Sequence, residues 1–313
     1  MLLLTGATGL LGHSVVRRLV ARGVPVRCLV RDPRGLGPER VRVQLAIGDL
    51  ADPSSWRNAL RGVDTVVHLA GGARDQARAS VEELNGLATF RLLQAAERVG
   101  AKHFVWISPL GATPHHPMRM QRAKALAAAV VDQAEIPTTT LAHSLIYAPG
   151  DRHLLWIERL GYLPVVPLAG RGIARTQPIW AEDMADAVLA ALDAPDGHRR
   201  FELAGPETLM QRDVVRLVLA AAGRRRRQLP LPLAGLRAAL RAEETLAGPT
   251  SLITWDEAQL LAVEMLSGRG TADAEALGVS PHPMSAVLGA PRDSRTRAAV
   301  PAAAADPRPA GGR

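Results

Sequence analysis

Short apolar runs alternate with amphipathic stretches along the first half of the chain. The two spacings predict strands alternating with helices. Residues 2–4 are an apolar run that enters a glycine-rich segment, and residues 10–22 carry Leu11, Val15 and Leu19 at helical spacing before Gly23. Strands are expected at 26–30 and 41–47, the second ending at Gly48-Asp49. Residues 54–60 read as a helix closed by Gly62, 65–69 as a fourth strand, and 81–99 as a long amphipathic helix stopped by Gly100. A fifth strand at 104–107, a helix at 118–134 and a sixth strand opening at 138–141 continue the series. Strands that are apolar throughout, interleaved with helices, predict an α/β fold. The expected architecture is a doubly wound parallel Rossmann sheet covered on both faces.

After Tyr147 the alternation stops. Residues 151–290 predict several helices, proline-rich loops and one strand at 200–203, a smaller and mostly helical C-terminal lobe interleaved with the sheet. Residues 291–313 are Ala, Pro, Arg and Gly with almost no large apolar side chain, the composition of a disordered tail. A chain of 313 residues accommodates one large or two unequal domains. The expected units are 1–150, 151–290 and the tail.

Composition narrows the setting. Hydrophobic residues make up 47% but aromatics only 3%, so the core must be built from Ala, Leu and Val. The single cysteine, Cys28, lies in a predicted strand and reads as a small buried hydrophobe. One thiol forms no internal disulfide, the N-terminus lacks a signal-peptide pattern, and no apolar run reaches the length of a membrane span. The expected setting is therefore the cytoplasm. The net charge of +8 is spread along the chain except for four arginines at 224–227. These follow a predicted helix that ends at Gly223, where cations complement the helix dipole. No zinc-finger spacing or RNA-binding aromatic motif accompanies them. The expected partner is a small-molecule substrate and not a nucleic acid.

The candidate chemistry begins at Thr5-Gly6-Ala7-Thr8-Gly9-Leu10-Leu11-Gly12, a G-x-x-G-x-x-G spacing between a predicted strand and a predicted helix. Gly6 permits the turn off the strand, Gly9 leaves room for a pyrophosphate, and Gly12 lets the helix pack closely. Free N–H groups and the helix dipole then face the phosphates. Residues 1–150 are on this basis the dinucleotide-binding domain, and 151–290 the substrate or partner lobe. The second strand ends at Val30-Arg31-Asp32. Arg31, with Arg34 near it, stands where a 2′-phosphate would lie, which favours NADP(H); Asp32, one position late, keeps NAD(H) as the alternative. Asp49 could accept from an adenine amino group or hold a turn. His68 lies in an apolar run and reads as a packed core histidine.

These pieces, with Gly48-Asp49-Leu50, 64–71, 104–108, 144–151, 177–185 and 201–207 in order, resemble the atypical and extended short-chain dehydrogenase/reductase superfamily. This NAD(P)-binding group includes the NAD-dependent epimerase/dehydratase family. The resemblance covers nearly the whole chain to about residue 290. Within the superfamily the chain is most similar to NmrA-like proteins and to the NADPH-binding accessory subunit of respiratory complex I. The resemblance implies cofactor contacts at Gly6, Thr8, Gly9, Leu10, Leu11, Gly12, Arg31, Asp49, Leu50, Leu69, Ala70, Gly71 and Lys124. It also implies a catalytic serine at Ser108 and a catalytic lysine at Lys124. The superfamily's tyrosine, four residues before that lysine, is here Met120. A thioether cannot donate a proton. Three accounts follow. Another group (His115, His116, His143 or Tyr147) replaces the tyrosine; or Lys124 itself serves, as in isoflavone-reductase-like relatives; or the cofactor is bound without turnover. The expected function is an NADP(H)-dependent oxidoreductase on a small organic molecule. The alternatives are a non-catalytic regulatory or scaffold protein, and a sugar-nucleotide epimerase or dehydratase.

Overall fold

Seven strands form one parallel sheet in the computed structural model, which describes residues 1–76, 78–194, 196–248 and 254–289. The tail expected at 291–313 lies outside the described residues. In chain order the first half contains β1 (Leu2–Thr5), α1 (Leu10–Ala21), β2 (Val26–Val30), β3 (Gln44–Ile47), α2 (Pro53–Trp56), β4 (Thr65–His68), α3 (Ala88–Arg98), β5 (His103–Pro109), α4 (Arg119–Val131) and β6 (Thr138–His143). The second half contains β7 (Ile146–Tyr147), α5 (Arg152–Leu160), β8 (Val165–Ala169), β9 (Arg175–Thr176), β10 (Ile179–Trp180), α6 (Ala181–Leu192), β11 (Arg199–Leu203), β12 (Leu209–Met210), α7 (Gln211–Ala221), β13 (Arg227–Leu231), α8 (Leu233–Ala247), α9 (Trp255–Gln259), α10 (Ala272–Ala276) and α11 (Met284–Gly289).

The sheet order is β11-β6-β5-β4-β1-β2-β3. The direction of winding reverses between β1 and β4, and that switch point opens the crevice where doubly wound sheets bind ligands. Successive residues of β1 face opposite sides. Leu2 and Leu4 join a core with Val15, Leu19, Met184 and Val188, whereas Leu3 joins a core with Leu92, Phe104, Trp106 and Val131. This two-sided burial explains why Leu2, Leu3 and Leu4 are all apolar. Cys28 is fully buried in the first of these cores, and burial pushes its thiol up to about 12.

The second half of the chain returns to this sheet. β11 pairs with β6, and α6 packs beside α1, where Glu182 accepts from Ser14 at 2.8 Å and from Arg17 at 2.6 Å. A third core (Tyr147, Leu154, Ile157, Val166, Val214, Val218) belongs to the C-terminal lobe. No helix among the described residues is long and apolar enough to cross a membrane.

Several elements differ from the sequence expectations. The strand expected at 41–47 starts only at Gln44, because Pro33–Val41 forms 3-10 turns punctuated by Pro38 and by Gly37 at φ 58°. The helix expected at 54–60 is the short α2 followed by a 3-10 turn, Arg57–Leu60. The helix expected at 81–99 contains a π-turn over Glu83–Leu87. The C-terminal lobe holds more strand than the one segment expected, notably the parallel pair of β8 and β13. Pro167 and Pro230 conceal these strands from pattern reading, and each is tolerated because a two-stranded sheet has only edge strands. The arginine cluster divides. Arg224 and Arg226 donate to carbonyls at the end of α5 (Glu158 O, 2.8 Å; Gly161 O, 3.0 Å), while Arg227 opens β13.

Candidate active site

The crevice begins at the C-terminal end of β1. Gly6 adopts φ 75°, a left-handed conformation that favours glycine. A Cβ on it would lie 2.7 Å from both Leu69 C and Ala70 N, and Leu69 N–H donates to Thr5 O at 3.2 Å. The fold thus joins Gly6, Leu69 and Ala70 across two loops. A Cβ on Gly12 would sit 2.1 Å from Gly6 O, so α1 approaches the loop more closely than any other residue permits. Gly9 is the N-cap of α1 and brings no side-chain cap; its N–H donates to Gly6 O at 2.9 Å. Thr8, Gly9 and Leu10 are exposed, whereas the Leu11 side chain is buried in the core. Leu11 therefore offers a ligand only its backbone. The first N–H groups of α1 have no intrahelical acceptor, and the dipole makes that end positive. This cradle fits a pyrophosphate, since no Cβ and no capping side chain fills it.

His13, not foreseen from the sequence, ties this cradle to the loop after β2. Its Nδ1 lies 2.9 Å from Gly9 O and its Nε2 2.8 Å from Gly35 O. Only its place next to Gly12 could have drawn attention to it. Arg31 is exposed one residue past β2 and donates across the crevice mouth to Gln76. Asp32 accepts from Arg34 N–H at 2.9 Å and pairs with its guanidinium at 2.7 Å, which holds the carboxyl below its usual range. Asp49 accepts from Ala51 N–H at 3.1 Å and its own N–H donates to Ser55 Oγ at 2.9 Å, so it shapes the turn after β3. Leu50 packs partly buried against the core.

Lys124 reaches the end of β5 next to Ser108. Lys124 is 4% exposed, and its Nζ donates to Ile107 O at 3.0 Å, the carbonyl immediately before Ser108. The ammonium lies 4.9 Å from the Trp106 ring centroid. No carboxylate pairs with it among the described residues, and burial pushes it down to about 7. Ser108 is buried at the end of β5. Met120 is half-buried on α4, one helical turn before Lys124. A Cβ on Gly71 would lie 3.5 Å from Lys124 Nζ and 2.7 Å from Asn85 Oδ1. Asn85, fully buried in the π-turn, was missed from the sequence. It accepts from Gly72 N–H at 3.2 Å and donates to Gly72 O and Val81 O, each at 2.7 Å. An amide inside an apolar helix face was the available signal.

Comparison with known proteins decides the family. A family model described as NAD(P)H-binding matches residues 6–147. An NAD(P)H azoreductase of Xenophilus azovorans is 30% identical over 242 residues, covering 74% of this chain and 78% of the azoreductase. The chain belongs to the NAD(P)H-binding short-chain dehydrogenase/reductase superfamily. The mitochondrial NADH dehydrogenase 1 alpha subcomplex subunit 9 of Arabidopsis thaliana is 28% identical over 252 residues, covering 75% of this chain but only 62% of that subunit. Two solved structures share the fold. One is a nucleoside-diphosphate-sugar epimerase of Staphylococcus aureus (TM-score 0.71, 19% identity, 92% of this chain and 99% of that one). The other is an NADPH-dependent quinone oxidoreductase of Escherichia coli complexed with NADPH (TM-score 0.70, 19% identity, the same coverages). The family model thus marks the first half of the chain as an NAD(P)H-binding domain.

Within this short-chain dehydrogenase/reductase scaffold the four groups considered as substitutes for the tyrosine separate. His115 is exposed. His116 Nδ1 accepts from Met118 N–H at 3.1 Å ahead of α4. Tyr147 is fully buried in the C-terminal lobe core, and burial, then Asp183 and Glu207, pushes its phenol up. His143 alone titrates in the field of Lys124: desolvation first, then that charge, lowers it to about 4. Its Nδ1–H donates to Ser144 O at 2.7 Å, which leaves Nε2 as a bare acceptor. His68 is fixed between Thr5 Oγ1 (2.6 Å) and Thr89 Oγ1 (3.0 Å) and lowered to about 3, a neutral core histidine.

A strap from the C-terminal lobe adjoins this end of the reductase scaffold. Arg119, the first residue of α4, pairs with Asp75 (2.8 Å), Glu82 (2.6 Å) and Asp256 of α9 (3.1 Å). Glu257 of α9 pairs with Arg74 at 2.8 Å. Beyond α9, Met265 O accepts from Ser144 Oγ at 2.7 Å.

Proposed function

We propose that this protein is an NADP(H)-dependent oxidoreductase on a small organic substrate, with Lys124 as the proton donor where the superfamily's tyrosine is replaced by Met120. The observation that carries this reading is the buried Lys124 ammonium, lowered to about 7 and hydrogen-bonded beside Ser108. At that value the group is partly protonated at neutral pH and can both give and regain a proton. The Ser108 hydroxyl would hold the substrate oxygen, and His143 Nε2 would accept a hydrogen bond from the substrate or from a water. The bound dinucleotide would supply the hydride. Gly6, Thr8, Gly9, Leu10, Gly12 and the Leu11 backbone would cradle its pyrophosphate, and Gly71 and Lys124 its nicotinamide ribose. Leu69 and Ala70 would line the crevice floor, and Asp49 and Leu50 the adenine end. Arg31 supports a preference for NADP(H), since Asp32 is already engaged by Arg34. Residues 1–150 would bind the cofactor and 151–290 would shape the substrate side. The azoreductase relative favours an aromatic substrate.

Met120 favours one second reading, a protein that binds the dinucleotide without turning it over. Titration of the purified protein with NADPH and NADH, followed by assay with aromatic aldehydes, quinones and azo compounds, separates the two. Saturable NADPH binding with turnover that Lys124→Met abolishes is the expected result. Binding without any turnover supports the second reading, and absence of binding rejects both.

A further inference from the structure

One side chain joins the glycine-rich turn after β1 to the loop after β2. His13, next to Gly12 on the first turn of α1, has both ring nitrogens against carbonyl oxygens: Nδ1 lies 2.9 Å from Gly9 O and Nε2 2.8 Å from Gly35 O. A carbonyl oxygen only accepts. A neutral imidazole carries one N–H and one lone pair, so it serves one of these acceptors and turns its lone pair on the other. Two hydrogen bonds require both nitrogens to donate, which is the imidazolium form. Bonds from a charged donor are also the stronger kind. The two loops touch independently of His13. A Cβ on Gly35 would lie 2.9 Å from Thr8 Cγ2, so that glycine permits the close approach that the histidine then fixes.

The charged groups on the segments around His13 are engaged elsewhere. On its own helix Arg17, one turn on, pairs with Glu182 of α6 at 2.6 Å, and Arg18 pairs with Asp186 of the same helix. Asp183 of α6 holds His282. On the loop after β2, Asp32 pairs with Arg34 at 2.7 Å and Arg31 donates to Gln76, while Glu39 and Arg40 lie farther along it. Both nitrogens of His13 are spent on carbonyls, so none of these acids sits on the ring as its counter-ion. An anion in the cradle between the two loops would supply one.

We propose that His13 is a positioning residue for the cofactor and works in its protonated form, a role that rests on the cofactor-binding reading above. The imidazolium clasps the glycine-rich turn to the loop that bears Arg31, and dinucleotide binding takes up a proton from solvent at this ring. With its nitrogens occupied, His13 acts through the two loops and through its charge, without touching the cofactor. Linkage is reciprocal: binding that favours the protonated ring weakens as pH rises, by up to about tenfold per pH unit.

The test titrates the whole chain with NADPH by calorimetry, in buffers of different ionisation enthalpy, at about pH 7.5, where an ordinary histidine is mostly neutral. The wild type should take up more protons than His13→Gln, whose amide does not titrate. The cofactor's own 2′-phosphate contributes equally to both, so the difference belongs to His13. From about pH 6.5 to about 8.5 the wild-type affinity should fall roughly fivefold or more beyond any fall in the variant. His13→Arg keeps a permanent charge and several donors, so it should lose that pH dependence and bind at about pH 8.5 at least as tightly as the wild type. NMR of the wild-type complex, with the His13 signal assigned by its absence from His13→Arg, should show both ring nitrogens protonated. Equal proton uptake by the wild type and His13→Gln would overturn the proposal. So would a His13 ring with one bare nitrogen in the complex. If His13→Gln does not fold, the NMR and the His13→Arg profile decide the matter. NADPH binding with the same pH profile in all three proteins defeats the role of His13 alone, whereas no binding by the wild type defeats the cofactor reading and this role with it.

Discussion

The ammonium of Lys124 donates to the carbonyl oxygen of Ile107 at 3.0 Å. That bond crosses from α4 to β5 and anchors the lysine to the strand end that carries Ser108. It satisfies one of the three donors of the ammonium and leaves the charge without a counter-ion among the described residues. The lysine is consequently held in place and poised to lose its proton, two properties that a salt bridge to a carboxylate would set against each other.

If Lys124 delivers the proton, reduction requires its charged form. The rate should fall as pH rises through about 7. Lys124→Arg keeps a charge that does not titrate, so that step should vanish from the pH profile and kcat should fall by about 10²–10⁴-fold. Stability moves the other way. The folded value lies below the ordinary 10.5, so between about 7 and 10.5 the unfolded chain binds more protons. Stability should rise with pH across that window, and the burial cost is fully present below about 7. Denaturant midpoints of wild type and Lys124→Met at pH 6.5 and 9 should diverge at the lower pH, with the variant the more stable.

Gly9 and Gly12 should respond differently to a side chain. A Cβ on Gly9 meets only Gly6 O, at 3.2 Å, so Gly9→Val should fold and lose cofactor affinity by roughly 100-fold or more. A Cβ on Gly12 at 2.1 Å from Gly6 O forces α1 away from the loop, and Gly12→Ala should lose about 1–3 kcal/mol of stability. Thermal melts paired with NADPH titrations distinguish the two effects.

Arg31 reaches Gln76 through a hydrogen bond that a 2′-phosphate could replace. Arg31→Ala should weaken NADPH binding by about 1.5–3 kcal/mol, the worth of a charged hydrogen bond, and leave NADH unchanged. Parallel titrations with both cofactors measure this; equal affinities in the wild type would reject the assignment.

Met120→Tyr would place a phenol one helical turn before Lys124 and on the same face. The lysine's charge should lower the phenol's pKa and increase the reduction of quinones and aromatic aldehydes. The gain should disappear when Lys124→Ala is added. A loss of native activity with no lysine-dependent gain would mean that Met120 lines the substrate pocket instead.

Arg119→Ala should release α9 from α4. Hydrogen bonds from Arg119 are the largest influence holding Asp75 and Glu82 below their ordinary 3.8 and 4.5. Their contribution is present above those values and lost as pH falls through the lowered ones. The variant should be less stable near pH 7 by on the order of 1 kcal/mol, and melt about 2–4 °C lower. The difference from wild type should shrink below about pH 4, and melting curves at pH 7 and pH 3.5 would show it.

The legible parts of this protein are those specified by neighbours in sequence. The pattern of β1, α1, β2, β4, β5 and β6 was readable because a strand buried on both faces is rich in apolar and β-branched residues and a covering helix repeats its apolar positions every turn. The glycine-rich turn after β1 was readable for a related reason. The turn at Gly6 and the close approach at Gly12 fall within seven residues, and both demand glycine. Boundaries were less visible where prolines broke the pattern, at Pro38 in the run before β3 and at Pro167 and Pro230 in β8 and β13.

The sequence by itself therefore determined the winding of the sheet and the position of the glycine-rich loop, since both rest on local periodicity and on the steric freedom of glycine. Tertiary structure decided what surrounds the reactive end. Only packing brings Asn85 against Gly71, places Lys124 where burial lowers it to about 7, and buries Tyr147 in the core of the C-terminal lobe. Only packing lets Asp256 reach Arg119 across 137 positions of chain. Desolvation and ion pairing depend on distance in space, and residues that far apart carry no local pattern to announce that they will meet.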